Sequence, residues 1–345
     1  MLSLFRKKAP KQVELNGRAD PIEVSAGATL LEALLVAGID MPHDCKVGSC
    51  GTCKYRLDAG KIAELSPSAL ALSREEIASG YRLACQSLPR SDLRISVDRL
   101  GDRLVEVENF TARIVAAPLL SHDIIGLRLQ LDRPLTFVAG QYVEVACDAV
   151  AGARTYSISN APRGQARDIL ELHVRKVSGG AFTEWLFAQD RTGTDLSVTG
   201  PGGSFRHQGG DGPMLCIAGG SGLAPILSLL EEAYWSGVSS PVTLLYGARA
   251  ERDLYCRAEL AELAAKWRGD LEYLPVLSEE PVTSDWSGAR GLVADRIASI
   301  GDLAAHQCYI CGPPPMVDAA ERLLLSGGVL GQAILADRFF DRSRP

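Results

Sequence analysis

The amino-acid sequence predicts a multidomain protein that combines three fold classes: a small α+β module, an antiparallel β-barrel and an α/β domain with a parallel sheet. Three observations support this prediction. A glycine-rich loop near the N-terminus carries closely spaced cysteines, six short strand-like runs follow it, and strand and helix patterns then alternate to the C-terminus. A chain of 345 residues is also longer than one domain of ordinary size.

Composition and charge narrow the classes of function. A hydrophobic content of 46% with 23% charged residues is typical of a globular protein, and a net charge of -6 argues against nucleic-acid binding. The N-terminal run MLSLFRKKAPK is not ordered like a secretory signal, so we expect a cytoplasmic protein with no membrane association. Nine cysteines in such a chain indicate metal or redox chemistry rather than a disulfide scaffold.

The N-terminal segment predicts a compact module of strands and two short helices. QVELN (12–16) and PIEV (21–24) are predicted to form a hairpin. Thr29 with Glu32, and Ser73 with Glu76, have the spacing of capping boxes, so each pair is expected to begin a helix. KYRL and LRISV then predict two further strands, the second of which closes the module near residue 100.

Four cysteines of this module have the spacing of a 2Fe-2S site. They follow the pattern C-x4-C-x2-C, and 31 residues separate the third cysteine from the fourth. Glycines in the loop allow backbone N–H groups to point at the sulfurs. The alternatives are a zinc site or unrelated thiols, but zinc ribbons usually have paired C-x2-C knuckles. The predicted cluster ligands are Cys45, Cys50, Cys53 and Cys85.

The middle of the chain predicts the antiparallel barrel after a charged linker near 99–107. Its strand-like runs are FTARIVA, IIGLRLQL, YVEVAC, TYSIS, LELHVRKV and LSVTG. RTYSISN (154–160) offers a flavin an arginine for phosphate, an aromatic ring and a serine hydroxyl. VSGGAFTEWLF places two glycines before a helix whose first amides could receive a diphosphate. Taken alone, Arg154 and Tyr156 could equally be a surface charge and a half-buried strand residue.

The C-terminal part predicts a nucleotide-binding α/β domain. An apolar strand runs through Gly219, Gly220, Ser221 and Gly222 into a helix with Pro225 in its first turn. The loop does not match G-x-G-x-x-G, but the alternation of strands and helices that follows predicts a parallel sheet that binds ligands at its carboxyl edge. A helix is expected near 294–299. CYICGPPPMV is expected to be a strand followed by a loop, and VDAAERLLLSG a helix. Cys308 and Cys311 lie on a strand and are not expected to form a redox dithiol.

Four motifs taken together resemble the ferredoxin-NADP reductase superfamily: RTYS, GPGGSF, GGSGLAP and CGPPPMV. With the preceding plant-type ferredoxin pattern, the chain is similar to the NADH reductase components of bacterial oxygenases of aromatic-hydrocarbon catabolism, from about residue 10 to the C-terminus. Naphthalene and benzoate dioxygenase reductases give the nearest resemblance. It implies a β-grasp 2Fe-2S ferredoxin domain at 10–100, an FAD-binding β-barrel at 108–207 and an NAD(P)-binding α/β domain at 210–345.

The resemblance also assigns site residues. Those expected to bind FAD are Arg154, Thr155, Tyr156, Ser157, His173, Val174, Lys176, Gly179, Gly180, Ala181 and Thr183. Those expected at the nicotinamide nucleotide are Gly219, Gly220, Ser221, Gly222, Leu223, Cys311, Gly312 and Pro313. Ser157 and Cys311 are assigned to the hydride-transfer position, and Phe339 or Phe340 is expected to cover the flavin.

The implied activity is that of an NADH-dependent flavin and iron-sulfur oxidoreductase of the ferredoxin reductase type. NADH delivers two electrons as hydride, a 2Fe-2S cluster accepts one, and FAD can divide the pair. NADPH stays possible because Arg249 and Arg252 could bind a 2'-phosphate. The expected partner is a separate terminal oxygenase or ferredoxin, bound transiently by a monomer. A Rieske aromatic-ring dioxygenase is favoured, and a di-iron monooxygenase, a deoxysugar dehydratase system or a redox sensor without turnover are the alternatives.

Overall fold

The computed structural model describes residues 9–39, 41–43, 48, 51–68, 71–98 and 106–340. The chain divides into two compact units, Met1–Leu104 and Val105–Pro345. Most of the predicted linker near 99–107 lies outside the described residues. Among the residues described, there is no helix of the length and apolar character needed to cross a membrane.

The first unit is a mixed β-sheet with a helix packed against it. Its strands are β1 (Lys11–Leu15), β2 (Ile22–Val24), β3 (Lys54–Ala59), β4 (Ile62–Glu64), β5 (Tyr81–Leu83), β6 (Ser87–Pro89) and β7 (Leu93–Ser96), and its helices are α1 (Leu30–Val36) and α2 (Arg74–Ala78). The sheet order is β2-β1-β7-β3-β5, with β1 parallel to β7, and β4 pairs separately with β6. Leu30 and Leu34 bury α1 in the core that the sheet forms.

The local predictions for this unit are confirmed. β1 and β2 form the expected antiparallel hairpin. The hydroxyls of Thr29 and Ser73 accept from the amides of Glu32 and Glu76, and both glutamates accept from the N-cap amides in return. Such reciprocal bonds satisfy amides that have no partner within the helix, which explains why α1 and α2 begin where they do.

The second unit opens with a curled antiparallel sheet, as the sequence predicts. Its elements are β8 (Glu108–Ala116), β9 (Leu119–Ser121), β10 (Ile124–Leu135), β11 (Tyr142–Cys147), β12 (Val150–Ser157), β13 (Arg167–Arg175), α3 (Ala181–Ala188) and β14 (Asp195–Gly202). The strand order is β12-β11-β14-β8-β10-β13, and the short β9 is an addition to the six predicted strands. A bridge between Ile158 and Leu172 joins the two ends, so the sheet closes into a barrel around an apolar core.

The rest of the second unit is a parallel sheet covered by helices. It contains β15 (Met214–Gly219), α4 (Leu223–Trp235), β16 (Val242–Ala248), α5 (Arg257–Lys266), β17 (Leu271–Leu277), β18 (Ala289–Arg290), β19 (Gln307–Gly312), α6 (Pro314–Ser326) and β20 (Ile334–Arg338). The strand order is β18-β17-β16-β15-β19-β20. Strands β16, β17 and β18 are therefore added in turn on one side of β15, and β19 and β20 on its other side. The switch point therefore lies between β15 and β19, where open α/β sheets bind their ligands.

Two local expectations in this part differ from the structure. The end of CYICGPPPMV is not a loop, because α6 already begins at Pro314 and not at the expected VDAAERLLLSG. Proline fits the first helical turn, where its missing N–H would have had no partner. The helix expected near 294–299 is a 3₁₀ helix over Val293–Ser299.

Candidate cofactor sites

Two of the four predicted cluster ligands lie side by side in the first unit. Cys53 directly precedes β3, and Cys85 follows β5, which is the antiparallel neighbour of β3. The amide of Cys85 donates to the Sγ of Cys53 at 3.5 Å, and Gln86 Nε2 donates to the Sγ of Cys85 at 3.4 Å. Both cysteines are buried. N–H donors aimed at paired sulfurs stabilise the negative charge of thiolates, as an iron-sulfur site requires.

The loop that carries the other predicted ligands approaches this pair at Gly48. Its φ is +83°, and a Cβ at this position would lie 2.7 Å from Cγ of Gln86. Only glycine therefore allows the loop backbone to approach the side chain that donates to Cys85. Cys45 and Cys50 lie outside the described residues, so their ligand role stays a prediction.

The predicted flavin-binding residues of β12 are consecutive, and their side chains differ in their exposure to solvent. The ring of Tyr156 packs against the ring of Phe182 from α3 in a tilted arrangement, with ring centroids 5.7 Å apart. Ser157 is buried, whereas Thr155 is exposed. Burial raises the pKa of Tyr156, so its hydroxyl stays protonated. Arg154 Nη1 donates to the carbonyls of its own turn, with the shortest bond of 3.0 Å to Ala153. Binding a phosphate would require Arg154 to exchange these bonds.

The second predicted flavin segment is a tight turn with its own hydrogen bonds. The hydroxyl of Thr183 donates to the carbonyl of Gly180 at 3.0 Å and accepts from the amide of Val177 at 3.1 Å. The amide of Gly179 donates to Oε1 of Glu184 at 2.9 Å, so an anion bound at that amide would displace this carboxylate. Ala181 begins α3 just beyond the turn.

Two residues before this turn, one in β13 and one just after it, offer different groups to a ligand. The side chain of Val174 is in the barrel core, so only its backbone is available to a ligand. The amide of Lys176 donates to the carbonyl of Asp123 at 2.7 Å, and its ammonium lies 5.6 Å from the ring centroid of Phe187. Lys176 thus has an ordered backbone and an exposed charge beside α3.

The two predicted nucleotide segments meet at the switch point of the parallel sheet. Gly219 ends β15, Ser221 lies within the 3₁₀ turn Gly220–Gly222, and Leu223 begins α4. A Cβ at Gly222 would lie 2.3 Å from the carbonyl oxygen of Cys311 and 2.8 Å from the amide nitrogen of Gly312. This backbone approach places the amides that begin α4 beside the end of β19, an arrangement suited to the phosphates of a dinucleotide.

The predicted C-terminal aromatic residues lie beside the end of β19. The amide of Phe339 donates to the carbonyl of Gly312 at 2.9 Å, and Phe340 follows it directly. Pro313 is the N-cap of α6. The side chains of Cys308 and Cys311 belong to cores on opposite faces of the sheet, so this pair does not form a dithiol, as expected from its place on a strand.

A chain of hydrogen bonds that the sequence did not indicate connects the barrel to the nucleotide loop. Nδ1 of His173 lies 3.1 Å from the hydroxyl of Tyr255, which donates to the carbonyl of Gly220 at 3.4 Å. Tyr246 donates to the same carbonyl at 3.3 Å. Since Tyr255 uses its proton on Gly220, the His173 ring donates from Nδ1. No local pattern could have identified this chain, because its members are brought together only by tertiary structure.

The buried state of His173 predicts a pH-dependent stability. Burial lowers its pKa to about 4, whereas an unfolded histidine titrates near 6.5. The stability of the neutral folded form is therefore complete above about pH 6.5 and is lost as the pH falls towards about 4. Between pH 7 and pH 5 we expect the wild type to lose about 2 kcal/mol more unfolding free energy than His173→Gln, whose amide can still donate to Tyr255.

Tryptophan fluorescence during urea unfolding provides the measurement. All four tryptophans, Trp185, Trp235, Trp267 and Trp286, belong to the second unit, so the signal reports the unit that contains His173. An equal loss of stability in both proteins over this pH range would show that His173 is not the titrating group.

Comparison with known proteins identifies three family matches along the chain. Residues 13–90 match the 2Fe-2S iron-sulfur cluster binding domain, residues 111–207 the oxidoreductase FAD-binding domain, and residues 216–322 the oxidoreductase NAD-binding domain. The matched ranges contain the cysteine pattern, the barrel and the glycine loop, respectively.

Similar proteins extend over nearly the whole chain. The xylene/toluene monooxygenase electron transfer component of Pseudomonas putida is 44% identical over 98% of this chain and 96% of its own length. The reductase component of the naphthalene 1,2-dioxygenase system of Pseudomonas putida is 36% identical over 95% of this chain and 98% of its own length. The crystal structure of an Amycolatopsis cytochrome P450 reductase has a TM-score of 0.80 and 34% identity, covering 95% of this chain and 98% of that one.

Proposed function

This chain belongs to the family of three-domain reductases that unite 2Fe-2S, FAD-binding and NAD-binding domains, and from that premise we propose that it supplies electrons from NADH to a separate oxygenase component or ferredoxin. The presence of all three domains in one chain carries this proposal. We take the domain boundaries as 10–100, 108–207 and 210–345, which enclose the three family matches.

The bound groups supply the electron chemistry: a nicotinamide gives up hydride, a flavin accepts two electrons and releases them singly, and a 2Fe-2S cluster carries one at a time. The chain binds and orients these groups. Cys45, Cys50, Cys53 and Cys85 would hold the cluster. The backbone amide of Cys85 and the side-chain amide of Gln86 donate to the Sγ atoms of Cys53 and Cys85, where they stabilise negative charge. The hydroxyl of Ser157 lies in the buried part of β12, where it can orient the flavin edge.

In the nucleotide site, the glycine loop and the end of β19 have distinct roles. The first amides of α4 receive the diphosphate, and Gly222 permits the backbone of Cys311 to approach them. Cys311 is buried, so its thiol excludes water from the hydride-transfer position. Phe339, whose backbone amide donates to Gly312, or its neighbour Phe340 would cover the flavin.

Anaerobic titration tests this function. We expect purified protein to contain FAD and about two irons per chain, and NADH to bleach the flavin absorbance and then produce the paramagnetic signal of a reduced cluster. Steady reduction of cytochrome c would establish turnover. Protein that contains zinc in place of iron would refute the cluster, and holoprotein unable to oxidise NADH with any artificial acceptor would support a sensor without turnover.

We propose that the acceptor is an oxygenase acting on an aromatic compound. The naphthalene dioxygenase relative supports the Rieske dioxygenase that the sequence favoured. The di-iron monooxygenase, which the sequence left as an alternative, is the other candidate; it is supported by the higher identity with the xylene/toluene monooxygenase component, 44% against 36%. Reconstitution with purified oxygenase components of each class decides between them. If NADH oxidation is coupled to product formation with neither class, a dehydratase system is the remaining alternative.

We further propose that the protein works as a cytoplasmic monomer whose complex with its acceptor is transient. NADH is a cytoplasmic reductant, and one chain holds all three domains. A reductase must also leave its acceptor to serve another, and electron-transfer complexes are typically small and weak. Light scattering during gel filtration, with and without the acceptor, tests both statements: a stable dimer or a complex that survives the column would contradict them.

A further inference from the structure

A carboxylate of the barrel reaches into the nucleotide half of the second unit. Asp123 lies between β9 and β10, and its Oδ2 accepts from Nε of Arg175 at 3.0 Å and from Nη2 of Arg249 at 3.2 Å. Its Oδ1 accepts from the hydroxyl of Ser121 at 3.1 Å. Burial raises the pKa of Asp123, but Arg175, Ser121 and His122 together outweigh burial and hold this pKa below its ordinary value. Asp123 is therefore a charged anchor for Arg249.

A second carboxylate binds the same guanidinium. Oδ1 of Asp253 accepts from Nη2 of Arg249 at 3.1 Å, while its Oδ2 accepts from the amide of Ala250 at 2.9 Å. Asp253 is 8% exposed and cannot turn outwards without losing the amide bond. One nitrogen of Arg249 is thus shared between Asp123 and Asp253. With His122 the two aspartates have metal-ligand spacing, but Arg175 and Arg249 already form ion pairs with them.

We call the ion-paired group of Asp123, Arg249 and Asp253 the clamp. Its position at the end of a strand of the nucleotide sheet determines which part of a bound nucleotide it can affect. Arg249 directly follows β16, the second strand of the nucleotide part in chain order. It lines a pocket of about 440 Å³ at the carboxyl ends of β16 and β17. In dinucleotide-binding sheets the residues after this strand face the adenosine ribose, and an arginine there accommodates the 2'-phosphate of NADPH. An arginine already paired with two carboxylates is poorly placed to do so.

The other groups of the pocket also disfavour a phosphate. Four carboxylates line it against two guanidinium groups; the lining charges are Glu251, Asp253, Glu279, Glu280, Arg249 and Arg252. Arg252 lies near Glu280, whose pKa is lowered mainly by the amide of Glu251 and in smaller part by Arg252. The excess of negative charge repels a dianionic phosphate, while a ribose hydroxyl carries no charge to be repelled.

We propose that Asp123, a residue of the flavin barrel, makes the nucleotide site select NADH over NADPH, because together with Asp253 it holds Arg249 away from the 2'-phosphate. This inference rests on the proposed function, since it concerns the nucleotide of the same reaction. It assigns coenzyme selectivity to contacts between two domains, whereas the sequence left Arg249 as a candidate 2'-phosphate ligand.

Binding of two nucleotides to the holoprotein tests the proposal without relying on turnover. Adenosine 2',5'-bisphosphate and 5'-AMP differ only in the 2'-phosphate, so the ratio of their dissociation constants isolates that group. We expect the wild type to bind the bisphosphate no more tightly than 5'-AMP. Asp123→Asn should shift the ratio in favour of the bisphosphate by about tenfold, the value of one additional charge-assisted hydrogen bond.

Three further variants separate the clamp from general effects. Asp253→Asn releases Arg249, while the side-chain oxygen of the new asparagine can still accept from the amide of Ala250. We expect the binding ratio to shift with the same sign. Asp195→Asn removes an equal charge from an exposed pair with Arg113 on the barrel, 2.8 Å apart, and should leave the ratio unchanged. Adding Arg249→Gln to Asp123→Asn should abolish the gain. The ratio of kcat/KM for NADPH to kcat/KM for NADH should change in parallel with this binding ratio in every variant.

The possible results are distinguishable. A wild type that prefers the bisphosphate, aspartate variants that behave like Asp195→Asn, or a gain that survives Arg249→Gln would each overturn the proposal. If Asp123→Asn does not fold, Asp253→Asn alone decides the outcome. Failure to bind 5'-AMP at all would instead contradict the proposed function, because the nucleotide site itself would be absent.

Discussion

Replacing Cys85 with serine is expected to abolish NADH-dependent reduction of cytochrome c while reduction of ferricyanide continues. The backbone amide of Cys85 donates to the Sγ of Cys53, and both cysteines are buried within the first unit. Loss of one thiolate leaves the cluster with three ligands. The FAD-binding and NAD-binding matches both lie in the second unit, so an acceptor that takes electrons directly from the flavin should still be reduced. The effect should exceed the roughly 10–100-fold loss typical when only a neighbour of a metal ligand is removed.

The measurement combines iron content, visible absorbance and the two acceptor assays on the same preparations. Cys147→Ser is the matched control, since Cys147 is a half-buried cysteine of the barrel that is not assigned to the cluster. We expect it to keep both activities and its iron. Retention of iron and of cytochrome c reduction by Cys85→Ser would show that Cys85 is not a ligand.

Replacing Gly222 with alanine is expected to damage the nucleotide site and the fold around it. The new methyl group would lie 2.3 Å from the carbonyl oxygen of Cys311 and 2.5 Å from its carbonyl carbon, both backbone atoms. Because β19 is paired on both sides, it cannot yield without disturbing its neighbours. We expect unfolding free energy to fall by about 1–3 kcal/mol, the usual cost of overpacking. The dissociation constant for NAD⁺ should rise at least about tenfold, since displaced amides no longer meet the diphosphate.

Urea unfolding followed by tryptophan fluorescence, together with NAD⁺ titration, measures the two effects. Gly301→Ala is the control, because a Cβ at Gly301 meets no atom within 4 Å. It adds the same methyl group to the same sheet domain and should change neither quantity by much. Normal NAD⁺ affinity in Gly222→Ala would mean that the approach of the two loops is not needed for binding.

Short-range features were predictable because each depends on a few neighbouring residues. The capping boxes at Thr29 and Ser73 follow from a four-residue spacing, and the structure has both. The alternating burial along β8 and the continuous burial along β15 similarly follow from strand periodicity. The start of α6 at Pro314 was missed, since a run of prolines suggests a loop unless the first helical turn is considered.

By itself, the sequence determined the three-domain order, the cysteine spacing and the glycine loop, because these are local patterns with a direct chemical meaning. Only the tertiary structure decided which distant groups act on one another. Gly222 packs against the backbone of Cys311, and His173 hydrogen-bonds to Tyr255. Asp123 hydrogen-bonds to Arg249, which is 126 positions away in the chain. Such contacts arise when strands far apart in sequence become neighbours in a sheet or across two packed domains. A residue's own neighbours in the chain carry no information about that distance, which is why Arg249 looked available for phosphate until its partners were seen.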